Sequence, residues 1–251
     1  MCQGGLRSQR FASLLDNDGY TVYRLDQGYK GYRRGAQFLF GQTLPLLILG
    51  GMTGSGKTEI LKCLSEMGEQ VLDLEGLAHH KGSAFGSLGM GRQPSTEQFE
   101  NDLSEKIRKF SHSRRIWVED ESLSIGKIFL PLPFFEQMKR APLVRVEMDR
   151  QNRIDRLSRD YGHESKSLLE ESIRKISKRL GSESAFKSIE ALQSGDLSGA
   201  VSLILDYYDK SYEYDRKLKN RSVLCRYFSP DGSPQRAAEA ILELLEKSQD
   251  S

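Results

Sequence analysis

The chain has 251 residues, 37% of them hydrophobic and 29% charged, with 23 glycines and 7 prolines. That balance excludes a disordered, collagenous or disulfide-scaffold protein and allows one large domain or two small ones. Basic and acidic residues number 37 and 35, a formal net charge of +2, so no uniform positive coat exists and any nucleic-acid contact has to be a local patch.

Cys2, Cys63 and Cys225 are too few and too scattered for a disulfide framework or a zinc cluster, which predicts a reducing compartment. Leu44 to Leu49, the longest apolar stretch, is far short of a transmembrane helix, and no basic-then-apolar signal segment opens the chain. No membrane partner is expected, and a cytoplasmic location follows by elimination.

In chain order, an opening loop leads to Phe11, Leu14 and Leu15 on one helical face. Tyr20-Thr21-Val22-Tyr23-Arg24-Leu25 then alternates at strand period. Residues 1–36 read as the tail of a domain whose beginning is absent. Glycine and basic residues dominate around 27 to 42, as in Gly28-Tyr29-Lys30-Gly31-Tyr32-Arg33-Arg34-Gly35, which predicts a connection between units. Leu46-Leu47-Ile48-Leu49 is apolar on both faces, as buried parallel strands are; a glycine-rich turn and a helix over 57–67 follow. Val71-Leu72-Asp73-Leu74, Arg115-Ile116-Trp117-Val118 and Leu143-Val144-Arg145-Val146 are further strands, separated by segments long enough for helices. This alternation predicts an α/β fold over 37–149 with a parallel sheet and helices on both faces. Residues 150–251 are expected to be mainly helical and to complete that domain, with one late strand at Val223-Leu224-Cys225-Arg226-Tyr227.

Gly51-Met52-Thr53-Gly54-Ser55-Gly56-Lys57-Thr58 fulfils G-x-x-x-x-G-K-[ST] between an apolar strand and a helix, which makes the expected fold P-loop NTPase-like. Gly51, Gly54 and Gly56 let successive N–H groups, with that of Ser55 among them, turn into one anion-sized hollow at a helix N-terminus. Lys57 is then expected to reach the terminal phosphates and Thr58 to ligate Mg²⁺. Carboxylates for Mg²⁺ or substrate come in two groups, Asp73 with Glu75, and Glu119, Asp120 and Glu121. Each group either lines the ligand crevice or caps the next helix. Arg150, Arg153, Arg156 and Arg159 recur every three residues. They suit either the arginine lid of a nucleotide kinase or a face for an RNA backbone, which Arg174, Lys175, Lys178 and Arg179 extend. Tyr208 and Tyr212, a helical turn apart, either stack a base or pack in the core.

The segment Gln70-Val71-Leu72-Asp73-Leu74-Glu75-Gly76-Leu77-Ala78, running into His80-Lys81-Gly82-Ser83-Ala84-Phe85-Gly86, resembles the tRNA 2-selenouridine synthase family. The resemblance continues through Leu205-Asp206-Tyr207-Tyr208-Asp209-Lys210-Ser211-Tyr212 and the opening Gly4-Gly5-Leu6-Arg7-Ser8. It implies a rhodanese-like domain joined to a P-loop domain. The activity it implies is a tRNA-modifying transferase that converts wobble 2-thiouridine to 2-selenouridine through an S-geranyl intermediate, with geranyl diphosphate and selenophosphate as co-substrates. It further implies that the P-loop residues hold a diphosphate and that His80 is a general acid/base or phosphate donor. Phe85, Leu88 and Met90 either cover a prenyl chain or pack in the core.

Cys2-Gln3-Gly4-Gly5-Leu6-Arg7-Ser8 fits the rhodanese form C-x-x-G-x-R-S with Cys2 as nucleophile, whereas the family's usual loop spacing puts the cysteine position on Met1. Residues 1–36 are then a remnant of the rhodanese-like domain. Selenium delivery by this chain alone is expected to be impaired, with a separate rhodanese-like polypeptide as the partner that restores it. Two further functions stay open: a P-loop small-molecule or nucleotide kinase with Asp73 or Asp120 near Mg²⁺, and a non-catalytic half of a split enzyme that binds tRNA and a partner.

Overall fold

A strand that is apolar on both faces has to be central, and Leu46–Gly51 is. In the computed structural model, which describes residues 5–219 and 221–249, the chain runs α1 (Leu6–Asn17), α2 (Gly28–Phe40), β1 (Leu46–Gly51), α3 (Lys57–Glu66), β2 (Gln70–Leu72) and α4 (Leu74–Ala78). It continues through α5 (Thr96–Arg108), β3 (Ile116–Glu119), a hairpin of β4 (Ser124–Ile125) and β5 (Ile128–Phe129), α6 (Leu132–Arg140) and β6 (Leu143–Met148). Helices α7 (Arg150–Tyr161), α8 (Lys166–Leu180), α9 (Ser182–Ser194) and α10 (Leu197–Lys219) precede β7 (Val223–Ser229) and α11 (Pro234–Gln249). The main sheet has the order β2-β3-β1-β6-β7, and each of its pairings is parallel. The molecule is thus an α/β protein with helices on both faces of a parallel sheet and a helical C-terminal part, as the alternation predicted.

Strand periodicity sorts the core into two faces. Leu46 and Ile48 of β1, with Ile116 and Val118 of β3, meet Ala36 and Phe40 of α2, Phe99 and Leu103 of α5 and Phe134 of α6. Leu47 and Leu49, with Trp117 and Val144, meet Ile60 and Leu64 of α3 and Ala237 and Ile241 of α11. Trp117 is fully buried and its Nε1–H donates to Glu69 at 2.8 Å, which satisfies the one polar atom of the ring. A third cluster joins Phe85 and Leu88 to Leu169 and Ile173 of α8, Leu192 of α9 and Ala200 and Ile204 of α10. Among the described residues, no helix is long and apolar enough to cross a membrane.

Two expectations for the N-terminal part are corrected. Tyr20–Leu25 forms no strand; Tyr20 is 64% and Tyr23 93% exposed. Alternation alone does not make a strand where no neighbouring strand takes up its backbone groups. The stretch read as a connection is instead the helix α2. Its glycines mask a helical stripe: Ala36 and Phe40 are buried, the Tyr29 hydroxyl donates to Glu97, that of Tyr32 donates to Glu105, and Arg33 donates to Asn101 at 2.7 Å. All of these partners lie on α5. A Cβ on Gly31 would run into the carbonyl oxygen of Asp26, so that glycine serves a close approach. Cys2 lies outside the described residues.

Candidate active site beside the P-loop

All five strands of the main sheet end at one edge, where β1 runs into the glycine-rich turn. Gly54 at φ +82° and Gly56 at φ +79° hold the left-handed backbone that bends the turn back on itself. A Cβ on Gly54 would come within 3.0 Å of Leu157, and one on Gly56 within 3.0 Å of the Arg156 guanidinium. Gly56 is the N-cap of α3 and caps it with no side chain, so the first-turn N–H groups stay available to an anion. The Ser55 hydroxyl is buried there without a hydrogen-bond partner.

Three glutamates face this turn. Glu75, Glu119 and Glu121 are all buried and bring carboxylate oxygens within 4.8 Å of one another. Lys57 Nζ lies 3.3 Å from Glu119. Thr58 Oγ1 is 3.1 Å from Glu119 and 3.3 Å from Glu75. A hydroxyl has one proton, so Thr58 donates to one carboxylate and accepts from the other. Glu75 fits the donating role, because burial and then the charges of Glu119 and Glu121 push its carboxyl up to about 9. Burial opposes the charge of Lys57, but Glu119, Glu75 and Glu121 outweigh it and raise the ammonium above its ordinary range. The donor set is oxygen throughout and suits a hard divalent cation.

The two acidic groups named from sequence are thus divided between roles. Asp73 is exposed and caps α4, accepting from Gly76 N–H at 2.8 Å; it lies outside the glutamate cluster. Past β3, residues 119 and 121 face the P-loop while Asp120 points the other way, to an ion pair with Arg221 at 2.7 Å. Tyr212 sits near Asp120: a Cβ on Gly50 would lie 3.4 Å from the Tyr212 hydroxyl and 3.5 Å from Asp120. Burial and the Asp120 charge raise the Tyr212 phenol.

His80 follows α4, two residues past its end. Its N–H donates to the Glu75 carbonyl at 3.0 Å, and its ring is wedged so that a Cβ on Gly86 or Gly126 would come within 2.8 Å or 2.7 Å of it. Nδ1 is buried without a partner, and burial lowers the ring's pKa, which leaves a neutral imidazole at pH 7.

Arg150, Arg153 and Arg156 of α7 are engaged within the protein. Arg153 is 3% exposed; it forks onto Asp209 at 2.7 and 2.8 Å and donates to the Thr53 carbonyl at 3.2 Å. Arg150 donates to Asp206 at 2.6 Å, and Arg156 donates to the Gly232 carbonyl. Arg159 is exposed on the last turn. On α8, Arg174 pairs with Glu170 and Lys175 with Glu171, while Lys178 and Arg179 are exposed. The Tyr208 hydroxyl accepts from Ala84 N–H at 3.0 Å, and its ring turns inward.

That ring lines a cavity which the sequence did not reveal. It lies between α7, α8, α9 and α10, with Thr53 of the P-loop, Ser83 and Phe85 at its near side. Nearly all its surface is apolar. It encloses about 520 Å³ of atom-free space, part of it open to solvent. Tyr161 also lines it, its hydroxyl pushed up to about 12 by burial. The available clue was the stripe Leu197, Val201, Ile204, Leu205 and Tyr208 at helical spacing.

Residues 44–231 match the profile of the tRNA 2-selenouridine synthase AAA domain. The chain is 34% identical to the tRNA 2-selenouridine synthase of Shewanella woodyi over 88% of its own length and 68% of that protein. It is 36% identical to the protein of the same name from Pseudomonas fluorescens, over 88% and 68%. Among solved structures, the full-length tRNA isopentenylpyrophosphate transferase of Bacillus halodurans aligns with 83% of this chain and 99% of that one, at a TM-score of 0.42 and 11% identity, too loose a likeness to argue from. On the strength of the profile and the curated relatives, the chain belongs to the tRNA 2-selenouridine synthase family.

Proposed function

We propose that the protein is a tRNA-modifying transferase that exchanges the sulfur of wobble 2-thiouridine for selenium, and that it does so by way of an S-geranyl intermediate made from geranyl diphosphate. The observation that carries this reading is Thr53, a residue of the phosphate-binding loop that also lines an apolar cavity. A nucleotide places a polar sugar and a flat base beside its phosphates. A prenyl diphosphate places a thin hydrocarbon chain there, and burying that chain supplies affinity in proportion to its area.

In the first step the thiouridine sulfur attacks C1 of the geranyl group, the C1–O bond breaks and diphosphate departs with the electron pair. Lys57 and the N–H groups of the P-loop face the oxygens on which charge grows, which is the arrangement that lowers such a barrier. The glutamate cluster with Thr58 would hold Mg²⁺, whose charge offsets that of the diphosphate. In the second step the selenium of selenophosphate adds to C2 of the base and geranyl thiolate leaves; water then cleaves the selenium–phosphorus bond to give phosphate. A neutral His80 would hand on a proton in either step. Lys178, Arg179 and Arg159 are exposed and open to tRNA phosphates; replacing Lys178 should lower the slope of tRNA affinity against salt by about 1.

The kinase alternative needs a mobile arginine lid, and Arg150 and Arg153 are instead tied to α10. The test is incubation of the protein and of Lys57→Ala with 2-thiouridine-containing tRNA and geranyl diphosphate, followed by mass spectrometry of the nucleosides. A Lys57-dependent gain of one geranyl group supports the transferase. Bound tRNA without a product points to the non-catalytic reading, and ATP hydrolysis stimulated by a small acceptor points to the kinase.

A further inference from the structure

The cavity has two unlike walls. Val201 and Leu205 of α10 pack with Ile154 and Leu157 of α7 on the P-loop side, and Leu157 touches the space beside Gly54. Ala200 and Ile204, each one residue earlier on α10, pack instead with α8 and with Leu192 of α9. Asp209 of α10 meets Arg153, which also bonds the Thr53 carbonyl, and Ala200 lies about 13 Å earlier along that helix; Leu192, on α9 packed against it, shares its side, so both stand away from Thr53. Ala200 is 1% exposed and is the smallest apolar side chain in the lining.

In a cavity walled by packed helices, a chain that stops short of the end wall forgoes burial, and one that is too long has to push those helices apart. A single methylene in such a pocket changes discrimination by about 10-fold or more. We infer that Ala200 and Leu192 set the length of the hydrocarbon chain the site accepts. The small side chain of Ala200 makes room for the terminal carbons, and Leu192 stops anything longer. This rests on the reading of the cavity as the seat of a prenyl chain.

The test measures binding, without tRNA, of inorganic pyrophosphate and of dimethylallyl, geranyl and farnesyl diphosphates to the intact chain, to Ala200→Leu and to Leu192→Ala. Ala200→Leu should weaken geranyl diphosphate by about 10-fold and leave pyrophosphate and dimethylallyl diphosphate unchanged. Leu192→Ala should bring farnesyl diphosphate up to the affinity of geranyl diphosphate. If pyrophosphate binds and no chain adds affinity, the prenyl reading falls and this inference with it. If affinity depends on chain length with one profile in all three proteins, the prenyl reading stands and the assignment of Ala200 and Leu192 is overturned. Should Ala200→Leu lose pyrophosphate binding and its thermal transition together, it has unfolded, and the Leu192→Ala profile alone decides.

Discussion

The phosphate cradle and the apolar cavity meet at Thr53 but are built in different ways. The cradle is made by consecutive residues, mostly by their backbone, at the edge of a sheet whose strands all pair in parallel. The cavity is made by side chains from four helices and two loops, and Arg153 of α7 ties it to the P-loop by bonding both Asp209 of α10 and the Thr53 carbonyl. A backbone site depends on conformation and tolerates changes around it, whereas a side-chain site depends on packing and registers every methyl group. Single substitutions should therefore damage the two in different currencies, rate in the first and stability or selectivity in the second.

The largest effect is expected for Lys57→Ala, which should lower the rate of geranyl transfer by about 1,000-fold with the thermal transition retained; loss of the fold would mean that Lys57 is structural. Next comes the link between the regions. Arg153→Ala strips a buried cation from Asp209 and from the Thr53 carbonyl, at a cost of about 3 kcal/mol. A double-mutant cycle with Asp209→Ala, followed by urea denaturation, should show strong coupling between the pair; additive losses would sever the link.

A smaller effect, readable in pH, is expected for Glu75→Gln. The carboxyl of Glu75 is raised from 4.5 to about 9, so between those values the folded state holds a proton that the unfolded state has lost. Stability drawn from this group is greatest below pH 4.5 and falls as pH rises toward 9. Glutamine copies the neutral form, so the variant should gain on the parent as pH rises from 4.5 toward 9. A melting-temperature difference that stays flat across that range would show Glu75 to be ionised in the native state. The smallest effect belongs to the cavity rim: Tyr208→Phe leaves Ala84 N–H without its acceptor and should cost about 1 kcal/mol in thermal unfolding.

What could be read from the sequence divides along the same line. The P-loop was legible because glycine, lysine and threonine at fixed spacing state a backbone conformation, and the central strand because four apolar residues in a row allow no solvated face. The choice of Glu119 and Glu121 over Asp120 was hidden, since it depends on which way the chain faces after β3. Asp73 was named beside Glu75, yet the helix it caps points the two apart. Tyr20–Leu25 has the alternation of a strand and no partner, and α2 has the stripe of a helix beneath three glycines. Of the cavity only the apolar stripe of α10 was visible: its walls run from Thr53 to Tyr208, and only packing brings them together.

The sheet face that supports α3 has a consequence for biosynthesis. Ile60 and Leu64, on the helix that carries Lys57, are covered by Ala237 and Ile241 of α11, the last helix in chain order. At roughly 5–20 residues per second, the ribosome leaves that apolar surface open for on the order of 10–30 s. The nascent P-loop is thus assembled on an unfinished wall, and a chain released before α11 would keep its phosphate motif while exposing the hydrophobic floor beneath it to other proteins in the cell.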